Sequence, residues 1–175
     1  RRIGSGGSSE GYLAETPTGQ RVAVKVLRAN PKEPGQASEQ LRREYEVLSQ
    51  IRTSGVAQLV AEGLGDPEPW IAFEYIEGLS LQEYVERHGA IPEGALRAFL
   101  FRLAGILAEL HEQGVAHRDL SPNNIILSRQ GPVLVDFGTA RIDTEHAVTG
   151  SRLLVGTPGY AAPEVVAGRL AGTPA

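Results

Sequence analysis

The sequence predicts an α+β protein, with a β-rich N-terminal part followed by a mainly helical C-terminal part. Residues 21–27 form an alternating run rich in β-branched side chains, which is typical of a strand. Residues 56–63 and 70–75 predict two further strands on either side of a turn rich in Gly and Pro. From Pro92 to the residue before Gly114, apolar residues recur at helical spacing, so we expect a long core helix there.

Composition limits the class of protein. The chain has 175 residues, a net charge of −4 and 41% hydrophobic residues, which allows a packed core and argues against a general nucleic-acid binder. No apolar run approaches the length of a membrane span, so we expect no membrane contact within this chain. Cysteine is absent, which excludes disulfides and thiolate metal sites. Methionine is absent too, and the chain begins Arg-Arg-Ile-Gly, so we interpret it as an excerpt from a longer protein.

Two helices are predicted around the strands. Residues 80–87 predict a short helix with Ser80 as its N-cap. Residues 37–52 predict a longer one, in which spacings of three, four and three align Leu41, Glu44, Leu48 and Ile51. An acid on an apolar stripe must be paired, which draws attention to Glu44. Glu46 is the alternative acid, but it lies off the stripe.

Lys25 interrupts the apolar strand at residues 21–27. The chain has only two lysines against fifteen arginines, so a lysine here indicates a need for a compact point charge. The alternative is an ordinary lysine at a strand end, with its ammonium in solvent.

A polar segment, His-Arg-Asp-Leu-Ser-Pro-Asn-Asn at residues 117–124, precedes two short apolar runs at 125–127 and 133–135. Asp-Phe-Gly follows at 136–138. Gly-Pro at 131–132 predicts a hairpin turn between the runs, so both polar segments are expected at the same end of the hairpin.

Asp119, Asn124 and Asp136 would then converge. One carboxylate could act as a base, while a carboxylate and an amide could hold a hard cation such as Mg²⁺. The alternative is that the two acids are ordinary loop residues and that Asn124 is a turn former.

These residues resemble the catalytic and metal-binding loops of protein kinases. Residues 156–164 resemble the end of the kinase activation segment, and residues 22–25, Val-Ala-Val-Lys, resemble the strand with the phosphate-binding lysine. The resemblance covers essentially the whole chain. It implies a bilobal fold, with an N-lobe at 1–77 made of an antiparallel sheet plus one helix. A mainly helical and incomplete C-lobe would follow at 78–175.

The resemblance implies transfer of the γ-phosphoryl group of ATP to a protein hydroxyl. Lys25, held by Glu44, would orient the α- and β-phosphates. Asp119 would accept the proton of the attacking hydroxyl. Thr157 is similar to the threonine that bonds this aspartate in serine/threonine kinases, which favours serine and threonine as acceptors.

The resemblance also assigns the metal, which is Mg²⁺ with Mn²⁺ as an alternative, to Asn124 and Asp136. It implies a structural role for His117, packed near Phe137. The positions expected to bind the nucleotide, in addition to Lys25 and Asp136, are Ile3, Gly4, Ser5, Gly6, Gly7, Ser8, Gly11, Ala23, Phe73, Glu74, Ile76 and Ile126.

Three positions depart from the family pattern. In the Gly-rich loop, Ser9 replaces the third glycine and Gly11 replaces the valine that covers the adenine. Ser121 stands where serine/threonine kinases usually have a lysine near the γ-phosphate, and we include it among the candidate catalytic residues. Two alternatives therefore stay open: a pseudokinase-like module that binds nucleotide or a partner, and a small-molecule phosphotransferase.

The expected partners are ATP, a protein substrate and a second copy of the chain during autophosphorylation. Thr149 and Ser151 are the expected phosphorylation sites. We expect a cytoplasmic location, or the cytoplasmic face of a membrane if a tether lies outside this chain.

Overall fold

A computed structural model describes residues 1–5, 9–27, 36–142 and 157–163. The chain divides into two units. Unit 1 comprises Arg1–Gln50 and Ala57–Ile76, and unit 2 comprises Ile51–Val56 and Glu77–Ala175. No helix among the described residues is both long enough and apolar enough to cross a membrane.

Unit 1 contains a five-stranded sheet in the order β1-β2-β3-β5-β4, in which every neighbouring pair is antiparallel. The tight turn between β2 and β3 needs Gly19, whose φ of 83° is unfavourable for residues with a side chain. The strands are β1 (Arg2–Ser5), β2 (Ser9–Glu15), β3 (Arg21–Leu27), β4 (Leu59–Gly63) and β5 (Trp70–Glu74).

Helix α1 (Gln36–Gln50) completes unit 1. Leu41 from the helix packs with Leu27 and Ile71 from the sheet, and these three side chains are at most 3% exposed. The predicted helix at 37–52 is therefore confirmed, except that it ends at Gln50. The predicted strands are confirmed as well, with β4 starting three residues later than expected.

The described residues of unit 2 form helices α2 (Leu81–His88) and α3 (Glu93–Glu112) and five short strands. Ser80 caps α2 as predicted, since its hydroxyl accepts from Glu83 N while Glu83 accepts from Ser80 N. The strands are β6 (Gly78–Ser80), β7 (Val115–Ala116), β8 (Ile125–Ser128), β9 (Gly131–Leu134) and β10 (Arg141–Ile142), which pair as β6-β8-β9 and β10-β7. The predicted hairpin corresponds to β8 and β9, but the predicted position of its turn was wrong. The turn is formed by Arg129 and Gln130, because Gly131 and Pro132 already pair with Ser128 and Leu127 as the start of β9.

The segment Ile51–Val56 belongs to unit 2, although residues 1–77 were expected to form one continuous lobe. Leu134 N donates to Gly55 O at 2.8 Å, and Val56 forms a parallel bridge with Leu134. Gly55 lies so close to the Ile106 side chain that a Cβ would not fit. These contacts explain the assignment, while the division into kinase lobes at residue 77 stays a prediction.

The predicted long helix is confirmed as α3, and it is a core helix in its C-terminal half only. Leu103 and Leu110 are 8% and 0% exposed, whereas Leu96 and Leu100 are 36% and 51% exposed. In the described part of the chain, helix α3 packs mainly against strands β7 and β9.

Candidate active site

Lys25 and Glu44 form a buried ion pair within unit 1. Lys25 Nζ donates to Glu44 Oε1 at 2.8 Å and to Oε2 at 2.7 Å. The two side chains are 15% and 1% exposed, whereas Glu46 is exposed. The apolar stripe of α1 faces the sheet, so an acid on that stripe reaches strand β3 and one off it does not. A buried charge of this kind is tolerated because it is paired.

Four positions expected to contact the nucleotide lie on one face of the sheet. In the strand register Gly11 lies opposite Lys25, and Ala23 lies opposite Phe73. Because Ala23 and Lys25 are two residues apart on β3, all four share a face. It is the face towards α1, since Lys25 meets Glu44 there. Phe73 also packs against the apolar core of Leu27, Leu41 and Ile71.

The Gly-rich segment forms the hairpin of β1 and β2, with Gly4 opposite Gly11. Ile3 is 43% exposed, and a Cβ built on Gly4 would have no atom within 4 Å. The backbone here is therefore accessible to a ligand. Ser5 ends β1, while Gly6, Gly7 and Ser8 lie outside the described residues.

Asp119 is the centre of the polar cluster in unit 2. Its Oδ1 accepts from Thr157 N and from Thr157 Oγ1, both at 2.7 Å. Its Oδ2 accepts from Asn124 Nδ2 at 3.0 Å. Asn124 Nδ2 also donates to Asp119 O at 2.9 Å, so one amide group fixes both the backbone and the side chain of Asp119. The expected contact between Thr157 and Asp119 is present.

The buried side chain of His117 contacts the backbone of this loop. Its Nε2 lies 3.2 Å from Val135 O, its Nδ1 accepts from Asp119 N at 3.3 Å, and its ring centre lies 4.5 Å from that of Phe137. Burial lowers the pKa of His117, against smaller opposing effects of its hydrogen bonds and of nearby carboxylates. The neutral tautomer with hydrogen on Nε2 satisfies both polar contacts. His117 thus has the structural position near Phe137 that we expected.

Asn124 and Asp136 lie at the same end of the β8–β9 hairpin, because Val135 N donates to Asn124 O at 3.0 Å. Asn124 uses its Nδ2 for Asp119, which leaves its Oδ1 as an oxygen ligand. Asp136 is exposed, and its Oδ1 accepts from Gly138 N at 3.3 Å. One carboxylate and one amide oxygen match the hard-oxygen preference of Mg²⁺, so these residues fit the expected metal.

The backbone of this cluster is strained at two points. Arg118 and Asp136 have φ angles of 63° and 61°, and they are the only non-glycine residues with positive φ in the part of the chain that the structure describes. Such strain persists only where neighbouring contacts enforce it, and it concentrates at functional sites. Arg118 directly precedes Asp119, and Asp136 is itself one of the candidate metal ligands.

Ser121, a candidate catalytic residue, lies directly after Leu120 and is buried. It is 2% exposed and precedes the 3₁₀ turn Pro122–Asn124, where its carbonyl accepts from Asn124 N at 2.9 Å. In this conformation a side chain at position 121 is enclosed by protein. Ile126, on β8, is half-buried, as are Glu74 and Ile76 at the end of β5.

Sequence reasoning missed Thr139, whose hydroxyl donates to His117 O at 3.1 Å. No motif pointed to it, because the contact joins residues 22 positions apart in the sequence.

The comparisons with known proteins agree with this arrangement. A family model described as "Protein kinase domain" matches residues 1–175. The chain is 34% identical over 163 residues to serine/threonine-protein kinase AfsK of Streptomyces griseus, covering 93% of this chain and 20% of that protein. It is 35% identical over 172 residues to probable serine/threonine-protein kinase PkwA of Thermomonospora curvata, covering 98% and 23% respectively.

A third relative is serine/threonine-protein kinase PrkC of Bacillus subtilis, which is 32% identical over 174 residues, or 98% of this chain and 27% of that protein. The chain thus spans about a fifth to a quarter of the length of these relatives. Because the family model matches the whole chain and these relatives are 32–35% identical to it, the chain belongs to the protein kinase family, among the relatives of bacterial serine/threonine kinases.

Proposed function

We propose that the protein transfers the γ-phosphoryl group of ATP to serine and threonine hydroxyls of proteins, including its own. The observation that carries this proposal is the Asp119 carboxylate, which accepts from Thr157 N, Thr157 Oγ1 and Asn124 Nδ2. Three donors from two residues fix the carboxylate in one orientation. A fixed carboxylate is what a positioned general base requires.

Asp119 accepts the hydrogen bond of the attacking hydroxyl and then its proton. The donors around it are neutral, so they orient the carboxylate without adding a full positive charge beside it. Because phosphoryl transfer depends mainly on positioning and charge stabilisation, a modest base in the correct place is sufficient.

Lys25 binds the α- and β-phosphates. Both oxygens of Glu44 hold its ammonium group, which fixes the position of the cation on strand β3. A lysine without such a partner would lose more side-chain entropy on binding phosphate.

Asp136 and Asn124 bind Mg²⁺, with Mn²⁺ as an alternative. The metal neutralises charge on the phosphates and so favours the transfer. Asn124 and Asp136 flank the β8–β9 hairpin, so the pairing of its strands keeps these two ligands at the same end.

The nucleotide contacts the β1–β2 hairpin and the sheet face that bears Gly11, Ala23 and Phe73, all in unit 1. Backbone N–H groups of residues 4–8 cover the phosphates. Backbone groups of Glu74 and Ile76 hydrogen-bond the adenine. Because ATP is an intracellular substrate, the reaction takes place in the cytoplasm or at the cytoplasmic face of a membrane.

The test uses the natural full-length protein, radiolabelled ATP with Mg²⁺, and three acceptors: the protein itself, a generic basic protein and a panel of small amino alcohols. We expect label on phosphoserine and phosphothreonine of proteins, and at least about a hundredfold slower labelling in Asp119→Asn. Label on small molecules alone would replace the proposal with a small-molecule phosphotransferase. Nucleotide binding without transfer to any acceptor would replace it with a pseudokinase-like binding module.

A further inference from the structure

Side chains hold the end of strand β5 on both of its edges. On the β4 side, Glu74 N donates to Gln58 O at 2.9 Å, and Glu74 Oε1 accepts from Gln58 N at 3.1 Å. On the β3 side, Tyr75 N donates to Arg21 O at 3.3 Å, and the Arg21 guanidinium carbon lies 5.0 Å from the centre of the Tyr75 ring. Two side chains therefore reinforce the main-chain bonds at this point.

The regular ladder stops where these contacts begin. Strand β4 pairs with β5 only up to Leu59 opposite Phe73, and its register shifts between Leu59 and Ala61. Pairing of β3 with β5 ends at Val22 opposite Glu74. Beyond these points a strand end would fray, and the Glu74 carboxylate supplies Gln58 N–H with an acceptor that the ladder no longer provides.

We infer that Glu74 and Arg21 are positioning residues for the nucleotide base. They fix the backbone C=O and N–H groups at residues 74–76. The proposed function, on which this inference rests, has these groups bind the adenine. The base presents a 6-amino donor and a ring-nitrogen acceptor on one edge. A strand end already fixed in the matching geometry binds that edge without being ordered first.

Neither side chain contacts the nucleotide in this scheme. The Glu74 carboxylate is directed to Gln58, and the Arg21 guanidinium lies over the Tyr75 ring. Their loss therefore weakens nucleotide binding and leaves the transfer step unchanged. It also weakens recognition of the base more than recognition of the phosphates.

The first experiment measures KM for ATP, kcat, and Kd for MgADP in the full-length protein. Glu74→Ala should raise KM and Kd by up to about tenfold, the equivalent of one modest hydrogen bond, with unchanged kcat. Glu74→Gln keeps an acceptor for Gln58 N and should stay near wild type. Glu62→Ala is the matched control, because Glu62 Oε2 accepts from Leu64 N at 2.7 Å in the same sheet.

The second experiment compares ATP with purine riboside triphosphate, which lacks the 6-amino group. Wild type should prefer ATP, and the preference should shrink in Glu74→Ala and Arg21→Ala. The Arg21 variant carries the test if a thermal melt shows that Glu74→Ala does not fold. An unchanged preference with unchanged Kd in the folded variants would overturn this inference and leave the proposed function intact. A wild-type protein that binds no nucleotide would overturn both.

Discussion

The two polar clusters of this protein are built from opposite kinds of interaction. The Lys25–Glu44 pair joins a strand to a helix through two full charges, and both side chains are largely buried. The Asp119 cluster lies in a loop and satisfies one charge with neutral donors from Asn124 and Thr157. The first cluster depends on packing between distant elements, and the second depends on the path of a few loops.

Stability and function are therefore expected to be coupled differently in the two clusters. Removing one partner of a buried ion pair leaves the other charge uncompensated, so the fold loses free energy together with the activity. A carboxylate held by several neutral donors can lose one of them and keep the others. Substitutions in the Asp119 cluster should therefore affect catalysis with little effect on the fold.

The largest expected effect on catalysis comes from Asp119→Asn. Asparagine keeps an oxygen that accepts from Thr157 but is not a base, so kcat should fall by about 10²- to 10⁴-fold. Kd for MgADP and the melting temperature should stay near wild type. Single-turnover transfer with radiolabelled ATP measures the rate of transfer, and calorimetry measures Kd for MgADP and the melting temperature. Transfer at the wild-type rate would show that Asp119 is not the base.

Lys25→Ala should remove both activity and stability. Loss of this partner from the buried Glu44 carboxylate should lower the free energy of unfolding by about 3–5 kcal/mol, which urea denaturation measures. Combining Lys25→Met with Glu44→Leu should restore most of the stability and none of the transfer.

The matched control is Arg43→Ala, which breaks the ion pair between Arg43 and Glu39, with side chains 70% and 55% exposed. It should change the unfolding free energy by at most about 0.5 kcal/mol. An equal loss in Lys25→Ala and Arg43→Ala would contradict the contrast between the buried and exposed pairs.

Thr157→Val tests redundancy around Asp119. Valine removes the hydroxyl donor but keeps the backbone N–H, so kcat should fall about tenfold, with KM for ATP unchanged. Thr157→Ser keeps the donor and should recover most of the rate. The same loss in the serine variant would assign the effect to packing of the threonine methyl group.

The smallest expected effect is on the pH dependence of stability. Burial lowers the pKa of His117 below its unfolded value, so the unfolded chain binds a proton more readily than the folded one. The stability contributed by neutral His117 is complete above about pH 6.5 and is lost as pH falls towards the lowered pKa. His117→Gln should flatten the decline of melting temperature from pH 7 to pH 5. The exposed His88, changed to Asn, is the control and should leave the decline unchanged.

Local sequence patterns predicted most elements of the fold. The alternation at residues 21–27 gave strand β3 at its observed bounds, and the stripe of α1 correctly separated Glu44 from Glu46. The cap of α2 and the hairpin of β8 and β9 were also predicted, because each depends on residues close together in the sequence. Such patterns are visible since side-chain periodicity and turn chemistry act over a few residues.

Contacts between distant residues were not visible in the same way. Nothing local indicated that Ile51–Val56 would join unit 2 or that Ser121 would be buried. Thr149 and Ser151 lie outside the described residues, so the expected phosphorylation sites stay predictions.

Periodicity and spacing were enough to single out the candidate groups: a lysine within an apolar strand, an acid on a helix stripe, and two acids and an amide around one hairpin. How these groups are held became visible in the folded chain, with Asn124 and Thr157 on the Asp119 carboxylate and with Glu74 and Arg21 at the end of β5. Periodicity fixes the direction of a side chain along its own element. A hydrogen-bond partner from another part of the chain is fixed only when packing brings the two together.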